Sequence, residues 1–169
     1  MERVVNKDIK IMSLSLNDIE SVGELCKECE DYFLLCNGTL HTRKDLEEIF
    51  TSLPPNKLSQ DKFVLGIFYK GQLIGVIDLI RNFPVFGQWI IGLFLLKEKE
   101  RGKGIGKLIH RTLSKIVLKE SGKSLRIGVI KENVNGLNFW KNLGYKKIKE
   151  SEMKFENKLH TVYTMVLEL

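Results

Sequence analysis

The stretch Leu93–Ile109, LFLLKEKERGKGIGKLI, contains the change of pattern that decides the fold. An apolar run ends at Leu96, a charged segment follows, and glycines then stand at positions 102, 104 and 106. Glycine costs conformational entropy on folding and adds no side-chain packing, so three glycines in five residues indicate that the backbone itself is used. The pattern predicts a buried strand, a glycine-rich loop and the first turn of a helix.

Strand and helix patterns alternate on both sides of this stretch. Strands are predicted at Ile9–Leu14, Phe63–Tyr69, Leu73–Ile80, Trp89–Leu96, Ser124–Ile130, Tyr145–Met153 and His160–Leu167, the last two joined around Asn157. Helices are predicted from Asn17 or Asp18 to about Leu35, from Thr42 to Pro54, from Gly104 to about Lys119, and from Gly136 to Leu143. This order predicts an α/β fold in one domain, residues 1–169, with a mixed, mostly antiparallel central sheet and helices on both faces.

The strand Trp89–Leu96 has two further expected properties. Its nearly continuous apolar character predicts burial on both faces of the sheet. The helix that follows the glycine loop then leads to Ser124–Ile130, which predicts a right-handed crossover between two parallel strands.

Composition and charge restrict the compartment and the partners. Hydrophobic residues are 43% and charged residues 28%, as in soluble globular proteins, and the N-terminus lacks the apolar segment of a secretion signal. We therefore expect a cytoplasmic protein without a membrane partner. Residues 61–169 hold 20 Lys and Arg against 10 Asp and Glu, which fits a phosphorylated ligand or nucleic acid. Because no nucleic-acid-binding motif is recognisable, a nucleic acid partner is the less favoured alternative.

Three cysteines occur close together, at positions 26, 29 and 36, with His41 nearby. Such a set has the donors of a zinc site. Cys26 and Cys29, however, share a helical face with apolar residues, where a free cysteine acts as a small hydrophobic side chain. We therefore expect buried thiols, no metal and no disulfide.

The glycine loop has the properties of an anion site. Backbone N–H groups in the first turn of a helix have no intrahelical acceptor, and the helix dipole makes that end positive. A Walker A loop is excluded because Gly106-Lys107 is followed by Leu108, and the G-x-G-x-x-G dinucleotide motif is absent as well. The residues predict a phosphate site of another kind.

Two motifs carry a resemblance to a known family. The first is R-x-x-G-x-G at Arg101–Gly106, and the second is NVNGLNFWKNLGY at Asn133–Tyr145. In these motifs, and in the order of its elements over nearly the whole chain, the sequence resembles the GNAT superfamily of acyl-CoA-dependent N-acyltransferases. The resemblance implies a GNAT-type fold and an N-acetyltransferase in which an amine attacks acetyl-CoA directly in a ternary complex.

The resemblance also implies a site for the acetyl-CoA co-substrate. The loop amides would hold the pyrophosphate, the strand before the loop would pair with the pantetheine arm, and an N–H near Phe94 or Leu95 would polarise the thioester carbonyl. In the family this strand and the next splay apart and admit the thioester. The implied cofactor-binding residues are Phe94, Leu95, Leu96, Arg101, Gly102, Lys103, Gly104, Ile105, Gly106, Lys107, Asn133 and Asn138. Helix capping is the alternative role for Asn133.

Two catalytic positions depart from many relatives. Trp140 stands where a tyrosine often serves as the general acid, and because an indole does not release its proton usefully, we expect Trp140 to shape the acyl pocket. Positions 89–91 offer no carboxylate, although some relatives have a glutamate base on this strand. Asp78 is the leading candidate for the base, because burial on an apolar face raises a carboxylate pKa. The alternative is a structural aspartate paired with Arg81 or the backbone.

The acceptor amine, a small molecule or a peptide, is expected on the N-terminal side. Residues 1–60 hold 11 Asp and Glu against 7 Lys and Arg, which favours a cationic amine, and Asp31 and Tyr32 are the candidate contacts. An exposed helix face explains the same acidic residues without a function. A non-catalytic acyl-CoA-binding module stays open as a second hypothesis, and the protein is expected to be a monomer or homodimer.

Overall fold

The structure is a computed structural model that describes residues 2–156 and 158–169, so the predicted turn residue Asn157 lies outside the described residues. The strands are β1 (Glu2–Val4), β2 (Ile9–Ser13), β3 (Lys62–Tyr69), β4 (Gln72–Ile80), β5 (Gln88–Leu96), β6 (Ser124–Ile130), β7 (Lys146–Phe155) and β8 (Lys158–Glu168). The helices are α1 (Ile19–Lys27), α2 (Glu30–Asn37), α3 (Arg43–Thr51), α4 (Ile105–Lys119) and α5 (Val134–Asn142).

The strands form one sheet in the order β1-β2-β3-β4-β5-β6-β8-β7. Every described neighbouring pair is antiparallel except β5 and β6, which are parallel and connected through α4. The mixed, mostly antiparallel sheet and the parallel crossover are therefore confirmed.

Helices cover both faces of the sheet, as predicted. Val76 and Ile77 are neighbours on β4 and therefore point to opposite faces. Val76 belongs to a cluster formed with α1, α2 and α3, whereas Ile77 belongs to a cluster formed with α4 and α5. The apolar stripe of α4 supplies Ile109, Leu113 and Val117 to the second cluster, and all three are fully buried.

The first helical region differs from the single helix that the sequence predicts. It opens with a short 3-10 turn capped by Ser15, whose hydroxyl accepts the Asn17 N–H, and it breaks between α1 and α2 at Cys29 (φ −134°). The Cys29 thiol donates to the Leu96 carbonyl at 3.4 Å, and the Glu98 N–H donates to the Glu28 carbonyl at 3.3 Å. At this break, residues 28 and 29 form hydrogen bonds with the end of β5. These contacts are distant in the sequence, so the local periodicity of the helix does not predict them.

The other helix and strand patterns are close to the structure. Thr42 caps α3 through a reciprocal pair with Asp45, as a capping residue should. The strand β1 was not predicted, because its three exposed residues have no apolar alternation.

All three cysteines are buried free thiols, as predicted. Among the helices of residues 2–156 and 158–169, none is long and apolar enough to cross a membrane.

Candidate active site

The strands β5 and β6 are paired only over their first four residues. Their register runs from Gln88 opposite Ser124 to Ile91 opposite Ile127, after which β5 stays paired with β4 and β6 stays paired with β8. The strands part at a bulge, where Gly92 is the extra residue of β5 opposite β4. We call the space between residues 92–96 and residues 128–130 the strand gap.

The strand gap corrects the expected burial of β5. Gly92 is exposed, and Leu93 and Phe94 are half-buried, whereas the residues on either side of them are largely buried. Burial on both faces is therefore wrong for residues 92–94, which border the strand gap and lie beyond the last pair with β6. An apolar sequence does not distinguish a strand covered by protein from one with an open edge.

The glycine loop presents backbone rather than side chains. Gly102 (φ +73°) and Gly104 (φ +79°) adopt the left-handed conformation that favours glycine, and Gly104 leads into α4 without a side-chain cap. The first helical hydrogen bond runs from the Leu108 N–H to the Gly104 carbonyl at 3.1 Å, so the amides of residues 105–107 have no helical acceptor. This helix end is suited to bind an anion.

Gly106 has a different role from the two loop glycines. A Cβ atom at this position would lie 3.1 Å from the Phe139 ring, closer than ordinary contact. Its lack of a side chain therefore lets the first turn of α4 pack against α5. The three glycines that sequence analysis treated as one motif divide into two conformational positions and one packing position.

Arg101 turns away from the loop amides. Its Nε donates to the Leu96 carbonyl at 2.8 Å, and its guanidinium forms a bidentate pair with the Asp31 carboxylate, with Nη2 and Oδ1 3.0 Å apart. Hydrogen bonding to Arg101 holds the pKa of Asp31 below its usual value. The structure thus joins a residue predicted to bind the cofactor with one predicted to bind the acceptor. Lys103 pairs with Glu100 at 3.2 Å.

Asp78 lies on β4 beside Gly92 and is only 9% exposed. Its Oδ1 accepts a hydrogen bond from the buried Lys62 ammonium at 2.7 Å. A Cβ atom at Gly92 would lie 2.7 Å from Asp78 Oδ2, so this oxygen occupies the space that a side chain would fill. Burial raises the pKa of Asp78, and the Lys62 charge acts against it. The alternative in which Asp78 pairs with Arg81 is wrong, because Arg81 pairs with Asp61 at 3.2 Å.

Trp140 packs against β5 on the face of the sheet that α4 and α5 cover. It is buried, and its ring centroid lies 5.7 Å from that of Phe94 on β5 and 5.1 Å from that of Tyr145. Behind it, His110 Nε2 and the Tyr145 hydroxyl are 2.9 Å apart. Burial lowers the pKa of His110 to about 4, so the imidazole is neutral at pH 7. The aromatic cluster is a packed layer beneath the half-buried Phe94.

The two asparagines predicted to bind the cofactor, Asn133 and Asn138, lie at different places on α5. Asn133 is its N-cap, and its Oδ1 accepts the Gly136 N–H at 2.9 Å, so the capping role is observed. Asn138 is exposed on the helix surface.

A feature that sequence analysis missed is the path of α2. The helix starts at the end of β5, where Cys29 and Asp31 contact Leu96 and Arg101, and it ends beside β8. It therefore crosses the strand gap on the face opposite Trp140. These contacts join residues 67 to 124 positions apart, and no local pattern indicates them.

Comparison with known proteins identifies the family. The family profile described as "Acetyltransferase (GNAT) domain" matches residues 11–167. No curated protein sequence matches the chain. An acetyltransferase from Thermus thermophilus has a similar structure, with a TM-score of 0.80, 16% identity and 100% of both chains covered.

Two further solved structures are similar. An acetyl transferase from Salmonella typhimurium that modifies the N-terminal serine of 50S ribosomal subunit protein L7/L12 has a TM-score of 0.81 and 12% identity, covering 100% of this chain and 99% of that one. The PaiA N-acetyltransferase from Thermoplasma acidophilum, in complex with coenzyme A, has a TM-score of 0.67 and 20% identity, covering 95% and 99%. At these identities the likeness shows the fold.

Proposed function

The chain belongs to the GNAT acetyltransferase family, and we propose that it transfers the acetyl group of acetyl-CoA to an amine in the strand gap. The observation that carries this proposal is the end of β5–β6 pairing at Ile91 and Ile127. Among the described strands, none pairs with the second edge of residues 92–96, which lie directly before the glycine loop. A ligand that is extended at one end and anionic at the other matches this order of features.

Acetyl-CoA fits the two parts of the site. The pantetheine arm would pair with the main chain of Phe94, Leu95 and Leu96, taking the place that β6 leaves. The pyrophosphate would accept hydrogen bonds from the amides of residues 102–107, with Lys103 and Lys107 adding positive charge. Asn138 is exposed toward solvent on α5 and, with Asn133, would flank the arm.

The chemistry is nucleophilic attack by a neutral amine on the thioester carbonyl carbon: the C–N bond forms, the C–S bond breaks with its electron pair on sulfur, and solvent protonates the CoA thiolate that leaves. A main-chain N–H of Phe94 or Leu95 would stabilise the oxygen as it gains negative charge. Asp78 Oδ2 would accept the amine proton, directly or through water, while Lys62 holds the other carboxylate oxygen. Trp140 would shape the pocket for the acetyl group without donating a proton.

The acceptor is a small-molecule or peptide amine that approaches from the α1–α3 face. Asp31 is already paired with Arg101, so its direct role is to hold α2 at the end of β5. Tyr32, the other predicted acceptor residue, follows it on α2 above the strand gap. In this proposal the chain acts as one acyltransferase domain and as a monomer or homodimer.

The phosphate site is tested by Gly104→Val. A branched side chain at this position strains the left-handed backbone and would stand where the pyrophosphate approaches, although no atom of residues 2–156 and 158–169 lies within 4 Å of its Cβ. We expect acetyl-CoA affinity, measured by calorimetry, to fall about tenfold or more through loss of charge-assisted hydrogen bonds.

Gly71→Val is the matched control for this variant. Gly71 has the same backbone conformation (φ +82°) and the same open surroundings, but it lies in the β3–β4 turn. It should carry a similar strain and leave acetyl-CoA affinity unchanged. Equal affinity in Gly104→Val and in the unmodified protein would remove the basis for the proposed cofactor site.

A further inference from the structure

We propose that the acceptor amine carries a negatively charged group, a carboxylate or a phosphate, which binds to Arg126, Lys146 and Lys149. We call these three side chains the cationic patch. The proposal rests on the function proposed above and names the class of amine that approaches from the face of the sheet covered by α1, α2 and α3.

Strand pairing places two members of the cationic patch on this face. On β8, Val162 belongs to a cluster with Cys36 of α2, so Val166, four residues further on, points to the same face. Arg126 of β6 and Lys146 of β7 are the partners of Val166 on its two sides. Directly paired residues share a face, so both cations lie on the face that α2 covers.

Lys149 lies on the same face, one row closer to the strand gap. It is paired with Thr164 of β8, whose partner on the other side is Gly128 of β6. Gly128 borders the strand gap, and both Gly128 and Lys149 are exposed. This row of the sheet is therefore open to a ligand that extends sideways from the strand gap.

The same pairing relates the cationic patch to the proposed base. Val76 of β4 packs with α1, α2 and α3, so Asp78, two residues further on, points to that face as well. The pairs Ile80–Ile90 and Ile90–Arg126 place Arg126 level with Ile80. Neighbouring strands lie about 4.8 Å apart, so Arg126 lies roughly 10 Å across the sheet from β4. An acceptor whose amine reaches Asp78 thus extends over the patch.

The charges of the cationic patch are not balanced by the protein. Within residues 2–156 and 158–169, none of its three side chains forms an ion pair. Pairing with Tyr163 and Thr161 places Glu150 and Glu152 on the opposite face of the sheet. Glu168 lies on the same face as the patch but at the end of β6 remote from the strand gap, so positive charge is in excess.

The acidic residues of the N-terminal part, by contrast, already have partners. Ion pairs occupy six carboxylates on or beside α1, α2 and α3: Glu20, Glu24, Glu28, Asp31, Glu47 and Glu48. Their partners neutralise much of the negative charge that the sequence shows in residues 1–60. The cationic amine favoured by that charge count is therefore replaced, in this proposal, by an anionic acceptor.

The cationic patch is separate from the proposed CoA site. The glycine loop follows the C-terminal end of β5 at Leu96, whereas Arg126 is paired with Ile90, at the closed end of the strand gap. Six residues of strand separate these two levels by roughly 20 Å. A change of charge in the patch should therefore leave CoA affinity unchanged.

The test compares acceptor peptides that differ in one charge. Alanine tetrapeptides with a free N-terminus and an amidated C-terminus carry aspartate, phosphoserine, asparagine or lysine as the third residue. In an extended peptide that side chain ends roughly 10 Å from the N-terminal amine. Calorimetry in the presence of CoA measures peptide binding without turnover, and CoA release from acetyl-CoA gives kcat/KM.

The peptides should bind in the order of their charge. The aspartate and phosphoserine peptides should bind about fivefold more tightly than the asparagine peptide, and the lysine peptide should bind most weakly. The ratio of phosphoserine to aspartate affinity distinguishes a phosphate from a carboxylate acceptor. Arg126→Glu should reverse the order of the aspartate and lysine peptides. Lys149→Glu, at an exposed position, should do the same and serves as the second variant if Arg126→Glu does not fold.

Lys154→Glu is the matched control. Lys154 is an exposed lysine of β7, and its pairing with Leu159 places it on the opposite face of the sheet. It changes the net charge by the same amount as Lys149→Glu and should leave the order of the peptides unchanged. An equal effect of the two variants would show long-range electrostatics rather than a binding site, and would overturn the proposal.

The remaining outcomes are distinct. Equal binding of the aspartate and lysine peptides, or binding of none of the four, overturns the proposed anionic acceptor while leaving the acetyl-CoA site in place. A changed sedimentation coefficient of Lys149→Glu with unchanged peptide binding would assign the patch to a second copy of the chain and would overturn the proposal as well. Failure of the unmodified protein to bind CoA overturns the proposed function itself.

Discussion

The two halves of β5 have similar apolar sequences and different surroundings. Residues 88–91 lie between β4 and β6 and pair with both, whereas residues 92–96 pair with β4 alone. The change occurs at one glycine, Gly92, which forms the bulge and has Asp78 beside it. The comparison teaches that hydrophobicity specifies the strand, while a bulge and the choice of partner specify where the sheet opens.

The largest expected effect tests Asp78, which lies beside the open half. Asp78→Asn keeps the shape and removes the basicity, so kcat/KM should fall on the order of 10²–10⁴-fold. Activity of the unmodified enzyme should decline as pH falls through a pKa above the ordinary value of about 3.9, and this acidic limb should flatten in the variant. A pH series with one amine at saturating acetyl-CoA measures both effects.

Asp61→Asn is the control for this variant. It breaks the nearby pairs with Lys57 and Arg81 but does not lie beside Gly92, so activity should be retained. Because Asp78→Asn removes the negative charge beside the buried Lys62 ammonium, which still donates to the Ser52 carbonyl, rates are compared below the unfolding temperature of each protein. If Asp78→Asn kept full activity and an unchanged pH profile, the amine proton would have to be removed by solvent or by another carboxylate.

The aromatic layer beneath Phe94 should make stability depend on pH. The folded pKa of His110 is about 4, against about 6.5 in the unfolded chain. As pH falls from 6.5 to 4, the unfolded chain takes up a proton that the folded chain does not, so stability falls by on the order of 3 kcal/mol. Urea unfolding at several pH values measures this slope. His110→Gln should reduce it, and an identical slope in the variant would show that His110 is not the source.

Gly92→Ala tests whether the missing side chain keeps Asp78 in place. The added Cβ would displace Asp78 Oδ2, and a misplaced catalytic group loses up to about 10² in rate. Acetyl-CoA affinity should change little. In an Asp78→Asn background the same substitution should cost nothing further, because its effect acts through the carboxylate. An additive loss would show that Gly92 acts independently of Asp78.

The smallest effect is expected at Trp140. If the side chain only shapes the pocket, Trp140→Phe preserves an aromatic ring beside Phe94, and turnover should stay within about tenfold, unlike the loss of a general acid. Steady-state kinetics with a fixed amine gives this ratio. A loss of several orders of magnitude in a folded variant would require a direct role for the indole.

Much of the architecture follows from local pattern. The strand Ser124–Ile130 has the predicted bounds, and β5 begins one residue earlier than predicted, because apolar residues and turn signals are local. The glycine loop was also predictable, because Gly102 and Gly104 adopt left-handed backbone conformations that favour glycine at those two positions.

The assembly of the site was not predictable in this way. Arg101 and Asp31 are 70 residues apart, and Lys62 reaches Asp78 across two paired strands. The break at Cys29, which places α2 over the strand gap, depends on the Leu96 carbonyl 67 residues away. Such contacts depend on the topology of the fold, and neither helix propensity nor hydrophobic periodicity predicts them.

The most direct test of the strand gap is residue-level amide hydrogen exchange with and without CoA. The site predicts increased protection at residues 92–96 and 104–107 on CoA binding, and no change at residues 88–91, which are already paired on both sides. Unchanged exchange at residues 92–96 under saturating CoA, with protection appearing elsewhere on the molecule, would contradict the assignment.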